Sequence, residues 1–141
     1  AVIRGIFNAL KPGGRMVAEM GGKGNIDRIL GALKTTLYEF GVDWREFYSW
    51  YFSDQEDYSE RLERAGFLIG KIELFPRPTE LLGDIAKWSE TFAEPFLSSV
   101  AETRRPDLLD AIKRVLRPFL FKGDRWIIDY MRLRVIAKKP Y

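Results

Sequence analysis

The run Leu10-Lys11-Pro12-Gly13-Gly14-Arg15-Met16-Val17-Ala18 leaves this chain few folds to choose from. Before it, Val2, Ile3, Ile6, Phe7 and Leu10 recur at helical spacing, so residues 2–10 predict an amphipathic helix. Pro12 has no N–H for a further turn, and Gly13-Gly14 let the backbone reverse. Met16-Val17-Ala18 then predicts a short parallel strand, near 15–20, buried on both faces. A helix running back into a buried strand is a middle piece of an α/β domain, yet here it comes first.

The alternation continues. Ile26, Ile29, Leu30, Leu33, Leu37 and Phe40 make the apolar stripe of a second helix that stops at Gly41. Residues 42–52 are crowded with aromatic side chains. Ser53 followed by Glu56 predicts a capping box for a helix with Tyr58, Leu62 and Ala65 inward, ending at Gly66. A strand near 67–75 is expected to end at Pro76 and Pro78. Asp84 can cap a helix bearing Ile85, Trp88, Phe92, Phe96 and Val100, kinked or divided at Pro95. A helix over about 106–120 should turn Leu108, Leu109, Ile112, Val115, Leu116 and Phe119 inward. Lys122-Gly123-Asp124 turns into a last strand at 125–138. There Met131, Leu133 and Val135 oppose Tyr130, Arg132 and Arg134 across the pleat. The expectation is an α/β fold with a three-stranded mixed sheet, strands near 15–20, 67–75 and 125–138.

Composition removes whole classes of chemistry. The 141 residues include no cysteine and no histidine. Disulfides, thiolate metal sites, cysteine nucleophiles and Ser-His triads are therefore excluded, and no metal site is expected. No apolar run reaches the roughly 18 residues of a membrane span, and no signal peptide is visible. The expected location is the cytoplasm, without a membrane partner. The net charge of +3 is too small to point to nucleic acid. Its basic surplus gathers after residue 103, where Arg104, Arg105, Lys113, Arg114 and Arg117 read as the wet side of an amphipathic helix or as an attraction for an anionic partner.

Four phrases in order carry a resemblance. Leu10 to Arg15, LKPGGR, resembles the helix-to-strand junction before the fifth strand of class I S-adenosylmethionine-dependent methyltransferases. SDQEDYSERLERAGF, from Ser53, resembles the helix before their sixth strand. RWIIDYMRLRVIAKKP resembles their seventh strand, and GDIAKWSETFAEPFL their helical cap over the substrate. The likeness is to the small-molecule branch, trans-aconitate methyltransferase-like and methyltransferase type 11-like. It implies a partial Rossmann-like fold whose sheet runs first, third, second strand, with the last strand antiparallel between the other two. It implies that residues 1–141 are one domain, the C-terminal part of a methyltransferase domain, with 79–122 as a helical cap insertion. The cofactor would be S-adenosylmethionine. The family's G-x-G-x-G turn after a first strand has no counterpart here, because Gly21, Gly22 and Gly24 follow the strand that resembles strand five. The cofactor site is therefore expected to be absent from this chain, which reads as the substrate-side fragment of a larger enzyme and as inactive alone. The first strand would then offer an open edge, a route to a homodimer.

Candidate substrate-binding residues follow from position and type. Glu19, Gly22 and Asn25 lie at the carboxyl end of a strand, where α/β folds place ligands. That loop reads equally as a connector with Asn25 as a helix cap. Trp50, Tyr51 and Phe52 could line an apolar acceptor pocket or pack a core or lid, and Trp88, Phe92 and Phe96 read as core, or as cap residues of which one or two face substrate. Arg77 could pair with an acidic acceptor or stay solvated. Arg132 and Arg134 could bind an anion or pair with the acidic helix 54–63. Glu56-Asp57 and Glu60-Glu63 suggest no acid/base site. No catalytic residue is assigned. The function expected is methyl transfer to a small-molecule acceptor. The alternative is a non-catalytic remnant that binds a small molecule or oligomerises.

Overall fold

Residues 1–141 are all described by the computed structural model. They divide into two compact units, each made from separated stretches: 1–25, 51–77 and 130–141, and 26–50 with 78–129.

In the first unit, α1 (Val2–Ala9) ends as Leu10 turns extended, and Gly13 takes the left-handed φ of +76° that the reversal needs. The chain then enters β1 (Arg15–Gly21). With β2 (Leu68–Leu81) and β4 (Arg125–Lys138) it is ordered β1-β4-β2, and β3 (Phe121–Lys122), a segment of the second unit, hairpins onto the start of β4 at Arg125 and Trp126. First, third, second is thus the order found, and the two-residue β3 is the added fourth strand. β1 is not buried on both faces as expected. Its antiparallel pairing with β4 is the one the resemblance implied, but Val17 is 61% exposed, so the strand is buried on one face only.

Alternation sorts the two faces of that ladder. Met16, Ala18 and Met20 lie opposite Ala137, Val135 and Leu133, and this face packs with Leu62 and Phe67 into a core. Ile3, Ile6, Phe7 and Leu10 of α1 cover it, and Phe7 meets Phe67 edge-on at 5.0 Å. Val2, expected inward, is exposed. Each fully buried aliphatic side chain here is worth about 2 kcal/mol of transfer free energy.

α3 (Gln55–Arg64) supplies Leu62, Tyr58 and Ala65 to the same core. Its N-cap is Asp54, whose carboxylate accepts the Asp57 N–H at 2.9 Å. Ser53 is not the cap, because its hydroxyl is committed to the Asp57 carboxylate. β2 also runs on through Pro76 and Pro78. It is an edge strand, and residues two apart present their nitrogens to the same side. Both missing N–H groups can thus face outward, where the ladder needs no donor.

The second unit is mostly helical: α2 (Asp27–Glu39), α4 (Ile85–Phe92), α5 (Glu94–Leu97) and α6 (Arg105–Leu120), with α2 and α4 packed on α6. Asp84 caps α4 through the Ala86 N–H, and the helix is divided at Ala93 before Pro95, both as expected. α2 has no cap of its own, since Ile26 before it sits in left-handed conformation at φ 51°. Asp129 of β4 replaces it: the carboxylate accepts the Arg28 N–H at 2.9 Å and the carbonyl accepts the Ile26 N–H at 3.0 Å. α6 buries Leu108, Ile112, Leu116 and Leu120. Val115 and Phe119, expected inward, are exposed, and the Arg28 guanidinium lies 4.2 Å over the Phe119 ring. No helix is long and apolar enough to cross a membrane.

Candidate functional site

A cavity of about 650 Å³ opens in the first unit at the carboxyl end of β1. Met20 and Gly21 end the strand there, α1 lends Ile3 and Arg4, and α3 lends Tyr58, Arg61, Arg64 and Ala65. The segment Tyr51-Phe52-Ser53 completes the wall. It is fixed to the strand end because Gly22 and Ser53 form an isolated parallel bridge and the Lys23 N–H donates to the Ser53 carbonyl at 2.8 Å.

Behind this wall lies a polar knot. Ser53 donates its hydroxyl to Asp57 Oδ2 at 2.5 Å, and the Tyr51 hydroxyl donates to the same oxygen. Arg61 Nε–H spans both Asp57 oxygens at 3.1 and 3.2 Å, while its Nη2–H reaches the Tyr51 hydroxyl at 3.0 Å. The guanidinium also sits 4.8 Å over the Tyr51 ring. The hydroxyls of Ser53 and Tyr51, and then Arg61, hold the Asp57 carboxyl at about 2 against partial desolvation. An acid this strong is no general base at neutral pH. Its work is to aim Tyr51 and Arg61.

The sequence pointed to Tyr51 and Phe52 in this cavity, and to the loop at the strand end that contains Met20 and Gly21. Asp57, set aside as solvated, is the hub of the knot. Tyr58 was read only as an inward helix residue, and Arg61 and Arg64 were not singled out, although the helical spacing of Tyr58, Arg61 and Ala65 could have placed them on one side of the helix.

Glu19 serves elsewhere. Arg134, paired across the ladder, donates to it at 3.1 and 3.2 Å, Arg132 at 3.4 Å, and Arg77 through Nη1. Arg77 and Arg134 also lie over the Phe75 ring. Partial desolvation pushes the Glu19 carboxyl up, but the three guanidiniums outweigh it and hold it below its ordinary range. Arg132 and Arg134 therefore pair with Glu19 and not with the acidic helix 54–63. Asn25 is 5% exposed and accepts the Met131 N–H at 2.8 Å, so it ties loop to strand and caps no helix.

The space beside Gly21 and Gly22 is filled by protein. A Cβ at Gly22 would collide with Leu74 and come within 3.2 Å of Leu133 Cβ, and one at Gly21 would lie 2.8 Å from Phe52. A nucleotide-binding glycine turn keeps that space for its ligand. These residues do not fit S-adenosylmethionine, and no donor contact is assigned to them.

Trp50, Trp88 and Phe92 lie in the second unit, half-buried and stacked on one another. Trp88 and Phe92 are 4.8 Å apart at 13°, Phe92 and Trp50 4.4 Å apart at 10°, and Trp50 continues onto buried Phe96 at 5.2 Å. Their ring faces are largely spent on each other.

The fold is shared with part of a class I methyltransferase, and the chain is a methyltransferase homologue. It is 32% identical to an uncharacterized methyltransferase, C70.08c, of Schizosaccharomyces pombe over 146 residues, covering 98% of this chain and 54% of that protein. The chain thus spans about half the length of its curated relative. Among solved structures, a candidate methyltransferase from Bacillus halodurans C-125 superposes with a TM-score of 0.51 at 16% identity, over 99% of this chain and 62% of that one. A phosphoethanolamine N-methyltransferase of Haemonchus contortus, solved with phosphomonomethylethanolamine and S-adenosylhomocysteine, covers 99% of this chain and 29% of its own at 20% identity, with a TM-score of 0.40 that is too loose to bear on function. No family model matches the chain.

Proposed function

We propose that these residues form the acceptor side of an S-adenosylmethionine-dependent methyltransferase acting on a small molecule in the cytoplasm. The observation that carries this reading is the identity of 32% sustained along 98% of the chain to one half of a methyltransferase. The cavity supports it, because α/β sheets bind ligands at the carboxyl ends of their strands. Methyl transfer is a displacement that depends on holding the acceptor in line, so a site without histidine suits it. In this proposal Tyr51 contacts the acceptor, and Glu19, Gly22 and Asn25 fix the strand end beside it. The stack of Trp50, Trp88 and Phe92 belongs to the second unit and lies outside this cavity. The donor is held by residues other than these.

Calorimetric titration of the folded chain with S-adenosylhomocysteine tests the division of labour. No binding is expected, and micromolar binding would overturn it. Replacing the matched half of the fission-yeast relative with this chain tests the activity. The chimera should transfer labelled methyl groups to a small acceptor and lose this with Tyr51→Ala. An inert chimera beside an active parent would refute the reading.

A further inference from the structure

The cavity at the end of β1 has a chemical asymmetry. Its floor is apolar and half-buried: Ile3, Met20, Phe52, Tyr58 and Ala65. Its exposed rim carries Arg4, Arg61 and Arg64, and no carboxylate lines the cavity at all. Asp57 neutralises Arg61 from behind, and Glu60 pairs with Arg64 at 3.0 Å while leaving that side chain 78% exposed. Arg4 makes no hydrogen bond or ion pair. The rim is therefore net positive beside a greasy floor.

We propose that this cavity takes a planar organic carboxylate, its ring or chain on Phe52, Met20 and Tyr58 and its anion at the rim between Arg4 and Arg64. A guanidinium offers a carboxylate two parallel donors, and next to low-dielectric walls that charge is screened less than in open water. Arg61 is held by Asp57 and Tyr51, so it presents a fixed face and not a searching one. The volume of about 650 Å³ lies in the range of small-molecule sites. A neutral apolar ligand would use the floor alone. A phosphate or a free metabolite anion without an apolar body would use the rim alone. The inference rests on the proposed function only in calling this ligand the methyl acceptor; the binding itself needs no donor.

The test uses the 141-residue chain and two nearly isosteric probes, 2-naphthoate and 2-naphthamide, titrated calorimetrically at low salt. Naphthoate should bind about tenfold more tightly than the amide, the advantage shrinking as salt rises. Arg4→Gln with Arg64→Gln should bring the two affinities together, while Arg15→Gln, on an exposed side chain outside the cavity, should leave the ratio unchanged. Equal affinities for the two probes, no saturable naphthoate binding, or a ratio untouched by the double variant would each overturn the proposal. Inorganic phosphate that binds as well as naphthoate would overturn it too, by showing that the floor contributes nothing. None of these results bears on the S-adenosylhomocysteine titration, so the two readings fail separately.

Discussion

Asp57 and Asp129 show how two carboxylates of one chain can be set against each other. Asp57 is hydrogen-bonded by Ser53, Tyr51 and Arg61, which lowers its carboxyl from 3.8 to about 2. A depressed folded-state value contributes stability that is present above the unfolded value and lost as pH falls towards the folded one. Urea midpoints should therefore fall between about pH 4 and pH 2 in the native chain, and Asp57→Asn should flatten that limb; an unchanged limb would show that the knot contributes nothing. Asp129 has the opposite sign. Burial pushes its carboxyl up against the hydrogen bond from the Arg28 N–H, and its Oδ1 is buried without a partner. Stability is thus lost as pH rises from the ordinary value to the raised one, and the full cost is present above it. Asp129→Asn keeps an oxygen acceptor for α2 and removes the charge, so at pH 7 it should be neutral or stabilising. Asp129→Ala removes the cap and should cost about 1 kcal/mol by urea denaturation.

At the scale of elements, two glycines make opposite demands. Gly31 is exposed inside α2 with open space around its Cβ position, so Gly31→Ala should stabilise by about 0.5–1 kcal/mol. Gly22 lies against Leu74 and Leu133, and Gly22→Ala should destabilise by about 2 kcal/mol. Thermal melts of the pair would decide both, and a neutral Gly22→Ala would mean that Leu74 and Leu133 yield to the added methyl group. The same contrast explains what could be read from the sequence. Helical stripes such as Ile29-Leu30-Leu33-Leu37 and the caps and stops that depend on near neighbours, Asp84 among them, were legible because their physics is local. β2 was not read to its full length, since a proline ends a central strand but not an edge strand, and edge position is a property of the sheet. The cap of α2 was invisible because Asp129 is 101 residues from Arg28. The site was legible to the same degree. Tyr51 could be named as a pocket aromatic, whereas Asp57 looks like any solvated helix acid until the fold brings Tyr51 and Ser53 to it.

At the scale of the whole molecule, the strand order leaves β1 at one end of the sheet. Its outer side is bridged only beyond the strand, where Gly22 meets Ser53 and the Lys23 N–H donates to the Ser53 carbonyl. Gly22 donates inward to the Met131 carbonyl, so by alternation Ala18 and Met20 also face β4, while Val17 and Glu19 point their N–H groups at the open edge. Unpaired edge groups are a template for another strand. We propose that two copies pair there as a homodimer. Val17→Pro tests this cleanly, because it deletes an outward donor and leaves the bonds to β4 in place. Sedimentation should give about twice the chain mass for the native protein and the chain mass for Val17→Pro, with an unchanged far-UV spectrum showing that the variant is folded. A native chain that stays monomeric at high concentration, or a folded Val17→Pro that stays dimeric, would remove the edge from consideration as an interface.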